Sequence, residues 1–599
     1  MTDAVLTIRE ADVLQRQATH LVGTLGHVSE GKSTLIRALT GIKTQRHAKE
    51  QERNITIHLG YANCRVYQNR QTGELRAVQT KEAGPTEDDG WTLIAHLSFV
   101  DCPGHEAYLA TMLGGASVMD TACLIIAANQ EVIPQPQTLE HLLAAELMGL
   151  ERLVVVQNKL DLLSPEEAAI NHDRIAAFTA GGVADVATAP LVPISAQHGW
   201  GTQRVLEYLT QLAPPTRELE APARLTCVRS FDINRPGPVV PGAPALAGAV
   251  IGGTLERGVL AVGDWLEIRP GVLSRGPNGT IQATPILTRV RGLRCESTDL
   301  PYAIPGSLIA IATDLDPGLS IANGMVGQRV GVPGSLPPVV GSITIRLKKL
   351  KRDTFPFGKH RVGDRVRVCA NVMTTEATLT EIDDKHRITL QLDRPLCLDV
   401  GERVALLRMN KEAGRELLEG SGEVRRSTPW TAVGTAEGAE LATPPDRRVV
   451  WEPLGHERFE SRPLPPYGEL LDAVMVRKEE ALGTAAPDRL RIPEPKLEVL
   501  HKHTMILNWT ALCDALGDGA HLLDFVLAEL QVAGSVNAQG QLMFRGRWRG
   551  EDIQGLLRRY ARMFKKCAQC NGYATTLVRS GRILKVRCPR CQTDNLPNA

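Results

Sequence analysis

The sequence predicts a chain of several domains: an α/β domain first, two β-barrels next, and a small α+β domain and a cysteine-bearing ribbon at the end. Three observations support this fold class. Near the start, a glycine-rich loop lies between a short apolar run and a helix-forming segment, which is typical of an α/β domain. After Pro214 and Pro215 the pattern changes to short β-branched runs separated by Gly, Pro and Asn. Four of the 12 cysteines close the chain as two pairs.

Length and composition set the broad class of protein. At 599 residues the chain is too long for one core, and it is expected to hold roughly four domains of about 150 residues each. The 68 Lys and Arg residues balance 67 Asp and Glu residues, so any surface that binds nucleic acid must be local. The first eighteen residues lack a continuous apolar core and no apolar run reaches 18 residues, so neither a signal peptide nor a membrane-spanning helix is expected. Eight singly placed cysteines favour an intracellular, cytoplasmic protein.

The loop near the start fits the pattern G-x-x-x-x-G-K-[ST], which wraps the phosphates of a bound nucleotide. Its glycines let successive N–H groups face the phosphate oxygens, and the following helix presents its positive end to them. Lys32 is expected to neutralise the β- and γ-phosphates, and the hydroxyl of Ser33 is expected to bind Mg²⁺. The alternative is an incidental glycine-rich turn. The residues predicted to contact the nucleotide here are Gly26, His27, Val28, Ser29, Glu30, Gly31, Lys32, Ser33 and Thr34.

Three shorter motifs follow in a fixed order that argues against chance. Asp101 ends an apolar run and can hold Mg²⁺ through water, while the N–H of Gly104 can follow the γ-phosphate. Residues 158–161 read N-K-x-D, in which the carboxylate of Asp161 accepts two hydrogen bonds from guanine that adenine cannot supply. The sequence therefore predicts a P-loop GTPase domain, with contacts to the guanine base from Asn158, Lys159, Asp161, Ser195, Ala196 and Gln197.

These motifs, together with residues 16–33, 53–63 and 134–138, closely resemble the gamma subunit of the archaeal and eukaryotic initiation factor that carries initiator methionyl-tRNA to the small ribosomal subunit. The resemblance implies that Thr56 is the first-switch threonine, which closes on Mg²⁺ in the GTP state, and that His105 positions the attacking water.

The chain departs from this family at three places in the first domain. Asn54 stands where the archaeal members usually have Gly before the switch threonine, although the eukaryotic members also tend to have Asn. Glu30 stands where a histidine is usual, and its negative charge is expected to weaken phosphate binding unless the side chain points to solvent. Residues 68–89 stand in place of the small cysteine knuckle of the archaeal members, and they are predicted to form a surface loop.

Two β-barrels are predicted after the GTPase domain. Segments that begin at Arg229 and Met325 resemble the opening and the end of the family's second domain, which implies that the first barrel is a platform for the tRNA acceptor end. A plain barrel without a ligand is the alternative. The basic cluster at residues 348–352 of the second barrel is either a solvated face or a contact to RNA phosphates.

The end of the chain predicts a metal site and a basic surface. Four thiolates in two C-x-x-C pairs fit tetrahedral Zn²⁺, with the β-rich residues 574–586 as the ribbon between them. From Arg545 onward there are thirteen Lys and Arg against three Asp and Glu, which suits contacts to RNA phosphates. The predicted zinc ligands are Cys567, Cys570, Cys588 and Cys591.

Residues 467–591 resemble the core and zinc ribbon of the beta subunit of the same factor, and also the N-terminal domain of its GTPase-activating partner. The resemblance implies that the helix beginning at Tyr467 docks on the GTPase domain. The predicted boundaries are 1–215 for the GTP-binding domain, 216–339 and 340–427 for the barrels, 428–463 for a linker, 464–563 for the helix and α+β core, and 564–599 for the zinc ribbon.

The resulting hypothesis is a gamma-like and beta-like fusion that binds initiator methionyl-tRNA with GTP, delivers it to the small ribosomal subunit and releases it on GTP hydrolysis. The implied cofactors are GTP or GDP, Mg²⁺ and Zn²⁺, and the implied further partners are an alpha-like subunit and GTPase-activating and nucleotide-exchange factors. One alternative is a regulator that binds GTP and RNA without hydrolysing GTP, suggested by Glu30. An elongation-type carrier is disfavoured by the beta-like module.

Overall fold

The computed structural model describes residues 4–45, 50, 56, 58–105, 108–116, 118–130, 132–150, 152–182, 189–212, 216–234, 248–276, 279–349, 357–383, 387–410, 414–436, 447–454, 463–482, 490, 492–500, 502–567, 572–580, 583–589 and 593–597. The chain divides into two compact units, one made of Met1–Gln51 with Ile55–Leu471 and the other containing Asp472–Ala599. Within the described residues, no helix is long and apolar enough to cross a membrane.

The first domain is an α/β domain around a seven-stranded sheet. Its strands are β1 (Ala4–Arg9), which lies outside the main sheet, and β2 (His20–Leu25), β3 (Gly60–Asn69), β4 (Leu75–Gln79), β5 (Trp91–Asp101), β6 (Thr121–Ala127), β7 (Leu153–Asn158) and β8 (Leu191–Pro193). The order across the sheet is β4-β3-β5-β2-β6-β7-β8, with β2 and β5 to β8 parallel and the β3–β4 hairpin antiparallel at one edge.

Helices cover both faces of this sheet. They are α1 (Glu10–Arg16), α2 (Lys32–Thr40), α3 (Leu109–Ala116), α4 (Pro136–Met148), α5 (Pro165–Gly182) and α6 (Thr202–Gln211). Strands β2, β6 and β7 are buried along their whole length, which explains why they read as largely apolar runs rather than as alternating patterns. Each nucleotide motif follows the carboxyl end of a parallel strand. Because these ends lie on the same side of the sheet, the fold brings the motifs together there.

The prediction of a surface loop over residues 68–89 is wrong for β4. This strand pairs with β3 in antiparallel register, from Gln68 opposite Leu75 to Cys64 opposite Gln79. Leu75 and Val78 are its buried side chains. Because these two lie three residues apart, the segment lacks the alternation that marks a strand in sequence.

Two antiparallel β domains follow. The first is an eight-stranded sheet in the order β13-β12-β18-β9-β10-β17-β14-β15, with the short pair β11–β16 beside it. Its strands are β9 (Arg224–Phe231), β10 (Val250–Arg257), β11 (Leu260–Ala261), β12 (Trp265–Arg275), β13 (Ile281–Arg289), β14 (Gly292–Cys295), β15 (Thr298–Leu300), β16 (Tyr302–Ala303), β17 (Leu308–Ala312) and β18 (Arg329–Gly331).

The second β domain is a closed barrel of six strands in the order β19-β22-β21-β20-β23-β24. They are β19 (Val339–Lys349), β20 (Arg365–Ala370), β21 (Met373–Ile382), β22 (Arg387–Cys397), β23 (Arg403–Asn410) and β24 (Arg415–Pro429). The buried guanidinium of Arg329 in the first β domain donates to both carboxylate oxygens of Glu402 in the barrel, at 3.0 and 2.9 Å. Such a bidentate ion pair fixes the two β domains against each other.

The stretch predicted as a linker, residues 428–463, contains a strand. This strand, β25 (Arg447–Glu452), pairs in parallel with β1 at the opposite end of the chain. Val449 packs with Ile8 and Val13, and Arg447 donates to Asp264 at 2.7 Å, so part of the predicted linker is bound to the first unit. Residues 437–446 and 455–462 of the predicted linker lie outside the described residues.

The C-terminal elements form an α+β domain and a ribbon. Helix α7 (Tyr467–Leu482) spans the division between the units. The domain pairs the sheet β26-β27-β29-β28 with three helices around one core, and a three-stranded ribbon follows it. Its elements are β26 (Leu497–Leu500), β27 (His503–Ile506), α8 (Trp509–Leu516), α9 (Gly519–Leu530), β28 (Gly534–Val536), β29 (Leu542–Arg545), α10 (Gly550–Tyr560), β30 (Thr576–Ser580), β31 (Ile583–Cys588) and β32 (Thr593–Asn595).

Candidate nucleotide-binding site

The glycine-rich loop connects the end of β2 to the start of α2, as the motif requires. Gly26 has φ +137°, and a Cβ atom there would lie 2.4 Å from the carbonyl oxygen of Ile125. Glycine is therefore needed for both backbone conformation and space. Of the other predicted contacts, Ser29 is exposed and His27, Val28 and Thr34 are partly buried.

The ammonium group of Lys32 points into the loop that it follows. Its Nζ donates to the carbonyl oxygens of Gly26 and His27, at 2.8 and 2.6 Å. Burial lowers the pKa of Lys32. Gly104 lies directly beside it, since a Cβ atom on Gly104 would be 2.3 Å from the Lys32 Nζ and 2.9 Å from the loop backbone. The structure thus brings the phosphate loop and the segment after β5 into contact.

Three predicted Mg²⁺ residues meet at the end of β5. The hydroxyl of Ser33 donates to Asp101 Oδ2 at 2.7 Å and lies 3.2 Å from the hydroxyl of Thr56, which is itself 3.4 Å from Oδ2. Burial raises the pKa of Asp101. Its Oδ1 is buried and has no hydrogen-bond partner in the described part of the chain. Two hydroxyls beside a buried carboxylate with an unused oxygen fit a hard divalent cation such as Mg²⁺.

The motif expected to recognise guanine is preassembled. The hydroxyl of Ser195 donates to Asp161 Oδ1 at 2.6 Å. The side chain of Asn158 connects two segments, because its Nδ2 donates to the carbonyl oxygen of Glu30 at 2.8 Å and its Oδ1 accepts the N–H of Ala196 at 2.9 Å. Lys159 is buried with φ +69°, and Gln197 is half-buried. The base motif and the phosphate loop are therefore one connected structure.

Glu30 points into the protein, whereas the sequence left open that it faces solvent. Its side chain has 0% exposure, and it meets Thr138 of α4, whose hydroxyl lies 3.1 Å from both carboxylate oxygens. The neighbouring His141 accepts the N–H of Gly26 at its Nδ1, at 3.1 Å.

Sequence reasoning missed the roles of Thr138, His141 and Thr44 at this site. Thr44 donates to Asp101 Oδ2 at 2.6 Å. Thr138 belongs to one of the segments that resemble the family, but no local sequence pattern indicates that α4 packs against the phosphate loop.

His105 lies close enough to the phosphate loop for its charge to act on His27. It is exposed, in a bend after Gly104, and its ring lies 5.9 Å from the ring of Tyr108. The backbone places it next to the segment that touches Lys32, which is where a residue acting on the γ-phosphate is needed.

Two of the predicted zinc ligands are described, and they lie together in the C-terminal ribbon. Cys567 and Cys588 are buried at 0% and 1% exposure and pack against each other. The side-chain amide of Asn595 donates to the sulfur of Cys567 at 3.4 Å. Cys570 and Cys591 lie outside the described residues. Over the described ranges, no group of three or more metal-binding side chains occurs.

The first turn of α7 contacts the GTPase domain beside the base motif. The hydroxyl of Tyr467 donates to Gln157 Oε1 at 2.6 Å, and its ring lies 3.8 Å from the ring of His172. Burial raises the pKa of Tyr467 to about 12. Because Gln157 directly precedes Asn158, this contact is adjacent to the guanine motif.

Comparison with known proteins identifies the family. Residues 17–215 match the elongation factor Tu GTP binding domain, and residues 481–594 match a domain found in initiation factors 2B and 5. Over 428 residues the chain is 40% identical to eukaryotic translation initiation factor 2 subunit 3 of Drosophila melanogaster, covering 67% of this chain and 88% of that protein. This chain belongs to the subunit 3 family. It is a translation initiation factor with a GTPase domain, which confirms the predicted family, fold class and enzyme activity.

Solved structures with a similar fold include two elongation factors. Elongation factor SelB from Methanococcus maripaludis, bound to a GTP analogue, has a TM-score of 0.51 at 19% identity, over 70% of this chain and 82% of that one. A bacterial selenocysteine-specific elongation factor has a TM-score of 0.51 at 18% identity, over 90% and 81%. At these identities the likeness concerns the fold alone.

Proposed function

We propose that this initiation factor binds initiator methionyl-tRNA in its GTP-bound state, carries it to the small ribosomal subunit in the cytoplasm, and releases it when GTP is hydrolysed. The observation that carries the proposal is the 40% identity to an initiation factor subunit over 428 residues. The preassembled phosphate loop, Mg²⁺ residues and guanine motif support the nucleotide dependence.

A few residues around the phosphate loop would distinguish bound GTP from bound GDP. Ser33 and Thr56 would bind Mg²⁺ directly and Asp101 through water, and the bound ion would neutralise charge on the phosphates. Gly104, which lies beside Lys32, would respond to the γ-phosphate, and His105 would orient the attacking water. A regulator that does not hydrolyse GTP would instead show equal single-turnover rates for the wild type and His105→Ala, with ribosomes and activator present.

RNA is proposed to bind at two regions. The first β domain would hold the tRNA acceptor end, and the basic C-terminal residues would contact RNA phosphates. The ribbon would be held by Zn²⁺, because two buried, adjacent thiols, Cys567 and Cys588, fit half of a four-thiolate site. An alpha-like subunit and factors for GTPase activation and nucleotide exchange complete the proposed partners.

The identity of the bound tRNA tests this proposal. The protein is purified from cells in buffer with a non-hydrolysable GTP analogue, and the RNA that elutes is sequenced and checked for its amino acid. Initiator tRNA charged with methionine is expected, and it should be depleted when the same protein is washed with GDP. Enrichment of elongator or selenocysteine tRNA instead would contradict the proposal.

A further inference from the structure

Glu30 places a buried carboxyl group inside the phosphate loop. Its Oε2 accepts the N–H of His27 at 2.5 Å, and the hydroxyl of Thr138 lies 3.1 Å from both oxygens. The same hydroxyl also accepts the N–H of His27, at 3.1 Å. Through these contacts the carboxyl group joins the loop to α4. Because its contacts are to the loop backbone and to Thr138, Glu30 would act on a nucleotide through the loop, as a positioning residue.

The carboxyl group is enclosed on its other sides. A Cβ atom on Gly26 would lie 2.5 Å from Glu30 Oε2, so the loop backbone leaves no space there. The carbonyl oxygen of Glu30 accepts a hydrogen bond from Asn158, which fixes the backbone of the residue. The side chain is 0% exposed, so water does not screen it from a charge that is added to the loop.

Several titratable groups face this carboxyl group. Lys32 and His27 belong to the loop, Lys159 belongs to the base motif and His141 to α4. Lys32 directs its hydrogen bonds to carbonyl oxygens, and burial holds the pKa of His141 well below its usual range, so that ring is neutral. Glu30 forms no ion pair with any described residue. Burial raises the pKa of Glu30 to about 7.

A bound nucleotide adds negative charge to the same loop. Phosphates that lie against the loop disfavour a second negative charge behind it, because Coulomb repulsion is weakly screened in a buried site. We propose that the carboxyl group of Glu30 takes up one proton when a guanine nucleotide binds, so that nucleotide affinity falls as the pH rises. The protonated group can donate to the hydroxyl oxygen of Thr138 and still accept the N–H of His27, so the network that supports the loop is kept.

The direction of the pH dependence follows from linkage. Below about pH 6 the carboxyl group is protonated in the free and the bound protein, and affinity does not depend on it. Above pH 7 it is ionised in the free protein and protonated in the complex, so the Kd rises by up to about tenfold per pH unit. The inference depends on the GTPase domain and not on the proposed tRNA, so either can fail without the other.

Calorimetric titration of the full chain with GDP and Mg²⁺ at pH 6, 7 and 8 tests this inference. Two buffers with different heats of ionisation report the protons taken up. The wild type is expected to take up close to one more proton at pH 8 than Glu30→Gln, and to lose up to about tenfold more affinity between pH 7 and 8. Any change in the protonation of GDP on binding contributes equally to the wild type and the variant, so it cancels when the two proteins are compared.

Two further variants make the result decisive. Glu166→Gln removes an exposed carboxylate from α5 and should behave as the wild type. Glu30→Met replaces the carboxyl group by an apolar side chain of similar length that cannot titrate, and it should lack the extra proton uptake, which keeps the test valid if Glu30→Gln does not fold. Equal proton uptake by the wild type and both Glu30 variants, or no binding of GDP by the wild type, would overturn the inference.

Discussion

At the scale of single residues, the site combines contacts that the sequence indicates with contacts that it cannot. The motifs identified Asp161 and Ser195, but not that the Ser195 hydroxyl orients the carboxylate at 2.6 Å. They flagged Glu30 as unusual without showing where its side chain points. The direction of a side chain depends on which helix packs behind it, and here that helix begins more than one hundred residues later.

Asp161→Asn should change the base that the protein prefers. The carboxylate accepts two hydrogen bonds from guanine, and an amide replaces one acceptor by a donor. We expect the Kd for GTP to rise about 100-fold, equivalent to about 3 kcal/mol for charged hydrogen bonds, and binding of xanthosine triphosphate to improve, since its C2 carbonyl accepts from the amide. Competition between the two labelled nucleotides measures the change. Asp88→Asn, at an exposed site, is the control, and retained GTP preference in Asp161→Asn would contradict the assignment.

His96 should make the GTPase domain sensitive to acid. It is fully buried in β5, its Nδ1 lies 2.9 Å from the carbonyl oxygen of Leu14, and burial lowers its pKa to about 4. The unfolded chain binds a proton at His96 below about pH 6.5 and the folded chain does not, so stability is lost as the pH falls from 6.5 to 4. This one group should account for up to about 3 kcal/mol of unfolding free energy.

Urea unfolding at pH 7 and pH 5 checks this effect of His96. The rate at which a thiol reagent labels Cys123, a buried residue in β6, reports opening of the sheet. The rate is divided by that of the fully unfolded protein at the same pH, which corrects for the pH dependence of the labelling reaction. His96→Gln should lose less stability between the two pH values than the wild type or His503→Gln, which replaces an exposed histidine in the C-terminal unit. Identical losses in all three proteins would show that His96 is not the group that responds.

At the scale of elements, strands that are buried on both faces were predictable, and strands that lack such a local pattern were not. Strands β2, β6 and β7 are marked by apolar runs because both faces are covered. Strand β4 was missed because its two buried residues do not alternate. Strand β25 has the apolar side chains of a strand, but its partner β1 lies more than 440 residues earlier, and no local pattern reports such a pairing.

The docking of the first turn of α7 was predicted from family resemblance, and its contact can be tested. Tyr467→Phe removes the hydroxyl that donates to Gln157 at 2.6 Å and leaves that amide oxygen without this donor. The loss of one such hydrogen bond costs about 1 kcal/mol, which corresponds to about fivefold faster opening. Hydrogen exchange of residues 463–471 measures it, with Glu469→Gln on an exposed position as the control. Unchanged exchange in Tyr467→Phe would exclude a stabilising role for this contact.

At the scale of the whole molecule, the GTPase domain and the two β domains form one compact unit. Arg217 in the segment before the first β domain donates to Asp120 of the GTPase domain at 2.6 Å, and Lys348 of the barrel pairs with Glu146 of α4 at 3.0 Å. Helix α4 also carries Thr138, which lies beneath the phosphate loop. The same helix shares a buried core with the barrel through Leu142, which packs in one cluster with Ala405 and Leu418, so α4 contacts both the nucleotide site and the second β domain.

Binding of initiator methionyl-tRNA in the two nucleotide states tests the central claim most directly. Equilibrium titration of the full chain with labelled initiator methionyl-tRNA is performed with a non-hydrolysable GTP analogue and with GDP, at the same salt and Mg²⁺ concentrations. A nucleotide switch predicts at least about tenfold tighter binding with the GTP analogue, which corresponds to a coupling free energy of about 1.4 kcal/mol. Equal affinity in the two states would contradict GTP-dependent delivery.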